Sequence, residues 1–386
     1  MDAIVTLIFI LLLNTYVIKV ACVKYKVHSE SYLWVLFGVH TLLSVVYLLM
    51  ALSTASDSIA YYNDSGRESN WFSLWGTSTT FIEFLAWPFS YLLNLSYIST
   101  MIIFSWFGFI GVMYFYIAAK ENAVLPAVWQ KYTAVELVFL LPNLHYWSSS
   151  LGKGSIILLG LALLTFGLSR FNRRYFVLAF GAFLVFMVRP HILFTVIISV
   201  MLSLLISGSA LKSYVKWLVF AVAAVVFFFI SDDVAKFTEV ENFNVLDSEV
   251  LANRAAELGK STSGVNLQNY GLLMKMFTFW FRPLFIDGQG FMGIVVSFEN
   301  LVYLFMFVTL LRFGFTQWKH WNGWFKICFF IFLFASVALA QVTGNLGIAI
   351  RQKAQIMPFF FILYFKALSY KHSTTLFQRK KSLNWS

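Results

Sequence analysis

Apolar residues gather in long blocks at 1–21, 32–52, 97–118, 133–150, 155–169, 175–188, 192–206, 217–230, 292–311, 325–342 and 356–368. A helix needs roughly 20 such residues to cross the hydrocarbon core of a bilayer. The pattern predicts an all-α polytopic transmembrane helical bundle of about 11 spans, within a range of about 9–12 because several blocks are short. The block at 81–93 is too short to span comfortably and contains Pro88, so a re-entrant or interfacial segment is expected there. Two longer polar stretches interrupt the pattern. One is a first outer loop at 53–96, which holds the re-entrant segment. The other is a larger outer loop at 231–290, in which 247–258 reads as a short helix and 261–269 as a Ser/Gly/Asn loop. Its last part, 271–285, is aromatic and amphipathic and is placed at the membrane interface. The whole chain, 1–386, is read as a single integral membrane domain.

Charge then orients the bundle. Only 12% of residues are charged and 60% are hydrophobic, whereas soluble domains carry about 25% charge. Lys24, Lys26, Lys120, Lys131, Arg170, Arg173, Arg174, Lys212, Lys216, Arg312, Lys319, Lys326 and the basic tail all fall on one side of the predicted spans. By the positive-inside rule that side is the cytoplasm, with the N-terminus outside and the C-terminus inside. The net charge of +11 is therefore membrane anchoring, and nucleic acid is not an expected partner. Residues 1–21 lack a basic region before the apolar run and read as a retained first helix, not a cleaved leader. Cys22 and Cys328 fit neither a metal pattern nor a disulfide framework.

The outer side collects polar groups that anchoring does not require. Asp57 is followed by Tyr61 and Tyr62. On a helix Asp57 and Tyr61 share a face, an arrangement suited to a general base above a sugar acceptor. An ordinary interfacial loop is the competing reading. His145 and Trp147 lead into Ser148, Gly152, Lys153 and Gly154 just ahead of a span. Exposed N–H groups and a lysine at a helix N-terminus suit a phosphate, although Trp147 and Gly154 break the Walker A pattern. A tight helical hairpin with a snorkelling lysine is the alternative. Arg189-Pro190-His191 puts an arginine between two apolar spans, a placement that costs roughly 2.5–3.5 kcal/mol on insertion scales and calls for a partner or ligand. Arg282 precedes Pro283, and Glu299 lies a few residues into a span. Arg351 and Lys353 follow Asn345 in a polar approach to the last span, on the side where anchoring needs no basic residue, which points to a bound anion. The candidate catalytic groups are Asp57, Glu299 and His191. The candidate diphosphate ligands are Lys153, Arg189, Arg282 and Arg351. Tyr61, Tyr62, His145, Trp147 and Asn345 are candidates for stacking on or orienting a sugar. No metal ligands are assigned and no cofactor is required, while the Asp57 and Glu299 carboxylates would permit a divalent metal.

These patches resemble, in order, a known group. Asp57 with Tyr61-Tyr62, the run from Leu141 through His145 to Lys153, Arg189-Pro190-His191, Phe281-Arg282-Pro283 and Asn345 through Gly347 to Arg351 look like bacterial exopolysaccharide and O-antigen membrane proteins. That group includes EpsG-like and Wzy-type repeat-unit polymerases and GT-C glycosyltransferases, and the resemblance covers most of the chain. It implies a glycosyltransferase of the bacterial cytoplasmic membrane that polymerises polyprenyl-diphosphate-linked oligosaccharide repeat units at the outer face. The implied partners are the polyprenyl-linked glycan, membrane lipids and other polysaccharide-assembly proteins. Outer-face arginines match the polymerases, and Asp57 matches the acidic residue in the first outer loop of GT-C enzymes. The chain lacks the larger outer domain of many GT-C enzymes, which favours a polymerase. A GT-C transferase using a polyprenyl-phosphate sugar donor stays open. A flippase for the same glycan is the reading from another class, disfavoured because no internal repeat is evident.

Overall fold

A computed structural model describes residues 1–25, 29–129, 132–206, 217, 221, 270–287 and 290–383. The predicted span at 217–230 lies outside these residues except for Trp217 and Ala221. The predicted helix at 247–258 and the loop at 261–269 lie wholly outside them. Among the described residues the chain is helical apart from one short strand pair, Ala127–Trp129 against Tyr132–Thr133. Seven helices are long and apolar enough to cross a membrane, or eight if one bent pair counts as a single span. The chain is thus an all-α, membrane-embedded polytopic protein. The difference from about eleven spans has local causes. Block 133–150 is broken at Pro142 into two short helices. Pro190–Ile206 is a shorter apolar helix, and 217–230 is largely not described.

The chain divides into two compact units, residues 1–122 with 135–189 and residues 123–134 with 190–386. The first unit contains α1 (Asp2–Tyr25), α2 (Glu30–Ser53), α3 (Asp57–Arg67), α4 (Thr79–Trp87) and α5 (Tyr97–Asn122). After the short α6 (Ala134–Val138) come α7 (Pro142–Ser148), α8 (Lys153–Ser169) and α9 (Phe171–Val188). Helix α1 buries Thr6, Ile10, Asn14, Ile18 and Ala21, a stripe at helical spacing that includes two polar residues. It turns Ile4, Val5, Ile8, Phe9 and Leu12 outward. An apolar exterior around a partly polar interior is what lipid as a solvent selects, since hydrocarbon outside rewards no polar group. Helix α8 lies against α5 and α9 and is almost wholly buried. Glycine sets its closeness to α9, for a Cβ on Gly181 would fall 2.5 Å from the Leu164 backbone nitrogen.

Helices α7 and α8 meet at 114°. A Cβ on Gly154 would lie 2.2 Å from the Trp147 carbonyl oxygen, so the bend closes only over glycine. The segment 81–93 forms α4 and a π turn, Pro88–Leu92. It is helical but short, as Pro88 and its length imply.

The second unit contains α10 (Pro190–Ile206), α11 (Leu272–Phe281), α12 (Gly290–Thr309), α13 (Gly323–Val342) and α14 (Leu346–Leu383). Aromatic stacking ties three of these helices together. The Trp280 ring lies 5.3 Å from Phe332, and Phe332 lies 5.3 Å from Phe360. Helix α14 starts ten residues before the apolar block at 356–368, so Arg351 and Lys353 are helical residues and not a loop. The side chain of Asn345 explains this. Its Oδ1 accepts from the Gly347 and Ile348 N–H groups at 2.8 and 3.2 Å, an N-cap that lets the helix begin in polar sequence.

Candidate functional site

A polar constellation of the first unit lies where α8 begins. Lys153 is the first residue of α8, where the positive end of the helix dipole disfavours a cation. Its Nζ donates to Ser78 Oγ at 2.8 Å. Ser78 has φ of +64°, a region that costs a non-glycine residue roughly 1–3 kcal/mol. Its backbone explains why the position holds, since the Ser78 N–H donates to the Met187 carbonyl at 2.7 Å. One serine therefore joins the start of α4, the start of α8 and the end of α9, and Arg189 follows Met187 by two residues as the C-cap of α9. The sequence candidates Lys153 and Arg189 thus belong to the same end of this unit.

Glu83 on α4 completes the constellation and is buried. Burial pushes its carboxyl above the usual carboxylate range, the charge of Asp64 pushes it further, and Lys153 partly opposes both. A carboxyl with raised proton affinity, under the influence of a fixed cation, is suited to take up a proton. Helix α4 is held by its aromatic neighbours. Trp71 stacks on Phe84 at 4.7 Å and donates to the Phe84 carbonyl at 2.9 Å, while Trp87 donates to the Glu68 carbonyl at 2.8 Å. Trp87 also stacks on Tyr91 at 5.0 Å. Trp75 and Tyr91 are exposed and present rings to the surroundings.

The other sequence candidates of this unit sit as follows. Asp57 is exposed in the first turn of α3, where a carboxylate also favours the helix dipole. Tyr61 is buried, with its ring edge against Gly152. Tyr62 donates to the Leu95 carbonyl at 2.8 Å. His145 is fully buried, its Nδ1 3.1 Å from Nδ1 of His40 and its Nε2 2.7 Å from the Phe139 carbonyl oxygen. It pins α7 to α2 inside the unit. Trp147 packs edge-on to Tyr146 and Tyr47. The exposed rings of segment 53–96 include those of Phe72, Trp75 and Tyr91, whereas Tyr61 is buried.

In the second unit the polar residues largely satisfy one another. Arg282 donates through Nε and one terminal nitrogen to Asp287 at 2.8 and 2.6 Å. The hydrogen bonds from Arg282 hold the Asp287 carboxyl below the usual carboxylate range. A diphosphate would have to displace that carboxylate to use the same fork. Lys353 is wholly buried, and its Nζ donates to Asn300 Oδ1 at 2.6 Å and to the Arg282 and Trp280 carbonyls at 3.2 and 3.3 Å. Its charge on the side away from the basic belt therefore has an internal cause. Glu299 is buried, accepts a short hydrogen bond from Tyr303, and is the opposite charge near Lys353. His191 and Arg351 are half-buried near the starts of α10 and α14, and Asn345 caps α14. Among the described residues no group of three or more His, Cys, Asp or Glu is placed to hold a metal ion.

Sequence reading did not single out Ser78, Glu83, His40 or Asn300. Glu83 left a usable signal as the one charged residue in the apolar block 81–93. His40 left the same kind of signal in 32–52. Ser78 left none, because its role arises from tertiary contact. No family model matches this chain, and neither curated proteins nor solved structures yield a match.

Proposed function

We propose that this protein is a glycosyltransferase of polysaccharide assembly that polymerises polyprenyl-diphosphate-linked oligosaccharide repeat units at the outer face of the bacterial cytoplasmic membrane. The observation that carries the reading is the buried Glu83 carboxyl, tuned upward, beside Lys153. Arg189 at the same end of the unit adds a second cation. In the proposed reaction an acceptor hydroxyl attacks the anomeric carbon of the lipid-linked donor. The carbon–oxygen bond to the diphosphate breaks, and polyprenyl diphosphate leaves with the bonding electrons. Lys153 and Arg189 stabilise the charge that develops on it, and the Glu83 carboxylate takes the hydroxyl proton. Trp75 and Tyr91 offer aromatic faces on which pyranose rings stack. The orientation rests on the basic helix ends, which place the Lys153 end outside.

The test uses purified protein in proteoliposomes with a polyprenyl-diphosphate-linked oligosaccharide, its products resolved by mass spectrometry. A ladder of repeat multiples is expected from the wild type, with Glu83→Gln slowed by about a hundredfold or more. Addition of one sugar from a polyprenyl-monophosphate donor, without a ladder, would assign the transferase reading instead. A Glu83→Gln variant that makes the ladder at the wild-type rate would remove the acid–base role.

A further inference from the structure

At the opposite end of α8 the first unit forms a half-open cavity of about 760 Å³ lined by Lys24, Lys120, Glu121, Arg170, Arg173 and Arg174, with Tyr25, Phe166 and Val177 among its apolar walls. Five cations thus face one carboxylate. Two of the five are already committed. Arg174 donates to both Glu121 oxygens at 2.9 and 2.7 Å and lies 3.6 Å above the Phe166 ring. Lys120 pairs with Glu136 at 2.7 Å. Arg170 reaches only the Glu121 carboxylate that Arg174 holds, at 3.8 Å. Arg173 and Lys24 have no carboxylate partner among the described residues.

Anchoring accounts for cations at the ends of α1, α5 and α8, where helix C-termini favour them. It does not account for Arg173 and Arg174, which lie at the non-helical break at Arg174 (φ −133°, ψ 23°) just ahead of the helix that continues from Tyr175 and presents its positive end to them. An anion in the cavity would offset both the excess cations and the α9 dipole, and arginine forks suit phosphate oxygens.

We infer that this cavity is a binding site for a phosphate ester, and that its occupant is the headgroup of an anionic phospholipid with its glycerol and upper acyl carbons along Tyr25, Phe166 and Val177. A soluble phosphate compound shares the same chemistry. The site is independent of the proposed reaction, since Lys153 lies about 25 Å away along the 17 residues of α8.

Full-length protein is placed in nanodiscs of phosphatidylcholine doped with phosphatidylglycerol, and retained lipids are counted by native mass spectrometry. The wild type is expected to retain phosphatidylglycerol selectively. Arg170→Gln/Arg173→Gln should weaken retention about thirtyfold, from about fivefold per basic residue at a membrane surface. Both side chains are exposed, so the variant keeps its packing, and Arg170→Lys/Arg173→Lys should restore most of the retention. Inorganic phosphate titrated into phosphatidylcholine-only nanodiscs separates the sources. Saturable thermal stabilisation of the wild type but not the Gln variant, without phosphatidylglycerol selectivity, would keep the phosphate site and overturn the lipid as its occupant. Equal retention of both lipids by the wild type together with no response to phosphate would overturn the site itself.

Discussion

Replacing Lys353 by methionine tests whether the second unit is pinned by a buried ammonium or holds that charge ready for an anion. The side chain is wholly buried and uses all three of its protons on internal acceptors. Methionine fills a similar volume but donates nothing. The Trp280 and Arg282 carbonyls and Asn300 Oδ1 each lose a donor in a place water does not reach, and Glu299 loses its opposite charge. Breaking one side of a buried charge interaction costs about 3–5 kcal/mol. For a unit of this size each kcal/mol moves the midpoint by about 2–4 °C, so a fall of about 10 °C is expected. The assay is the apparent unfolding midpoint in a fixed detergent, read at one scan rate because such transitions are often irreversible. Lys353→Met/Asn300→Leu should recover part of the loss, since removing both partners costs less than orphaning one. A single variant with an unchanged midpoint would refute the pin and return Lys353 to the set of candidate anion ligands.

Two further outcomes are expected. The carboxyl of Asp287 is held below its usual range by Arg282, so its contribution is complete above the ordinary carboxylate pKa and is lost as pH falls through the lowered folded value. Asp287→Asn should flatten the acid limb of stability below the ordinary carboxylate pKa in circular dichroism titrations, and an acid limb identical to the wild type would contradict the pairing. A reporter fused to the C-terminus should read cytoplasmic, and an external signal would reverse the proposed facing of the Lys153 end.

Much of the fold was legible because lipid imposes a simple rule. A span must be long, helical and apolar, and blocks such as 97–118 and 325–342 carry all three marks. The beginning of α14 was not legible from hydropathy, because Arg351 and Lys353 look like loop residues until Asn345 caps the helix and Asn300 meets the ammonium. In the folded chain Lys353 donates to internal acceptors, and the anion reading rests on the variant described above. A lone cation in the sequence reveals its cost and not its partner.

The sequence by itself determined that this is a polytopic helical membrane protein and that many of its basic residues gather near the ends of apolar segments. Only the tertiary structure decided which polar residues meet. It set Glu83 and Ser78 beside Lys153, engaged Arg282 with Asp287, closed His145 against His40, and gathered Arg170, Arg173 and Lys24 around one cavity. Hydropathy is a property of each segment and can be read along the chain. Pairing of buried charges depends on which helix faces pack together, and that information first exists when the helices do.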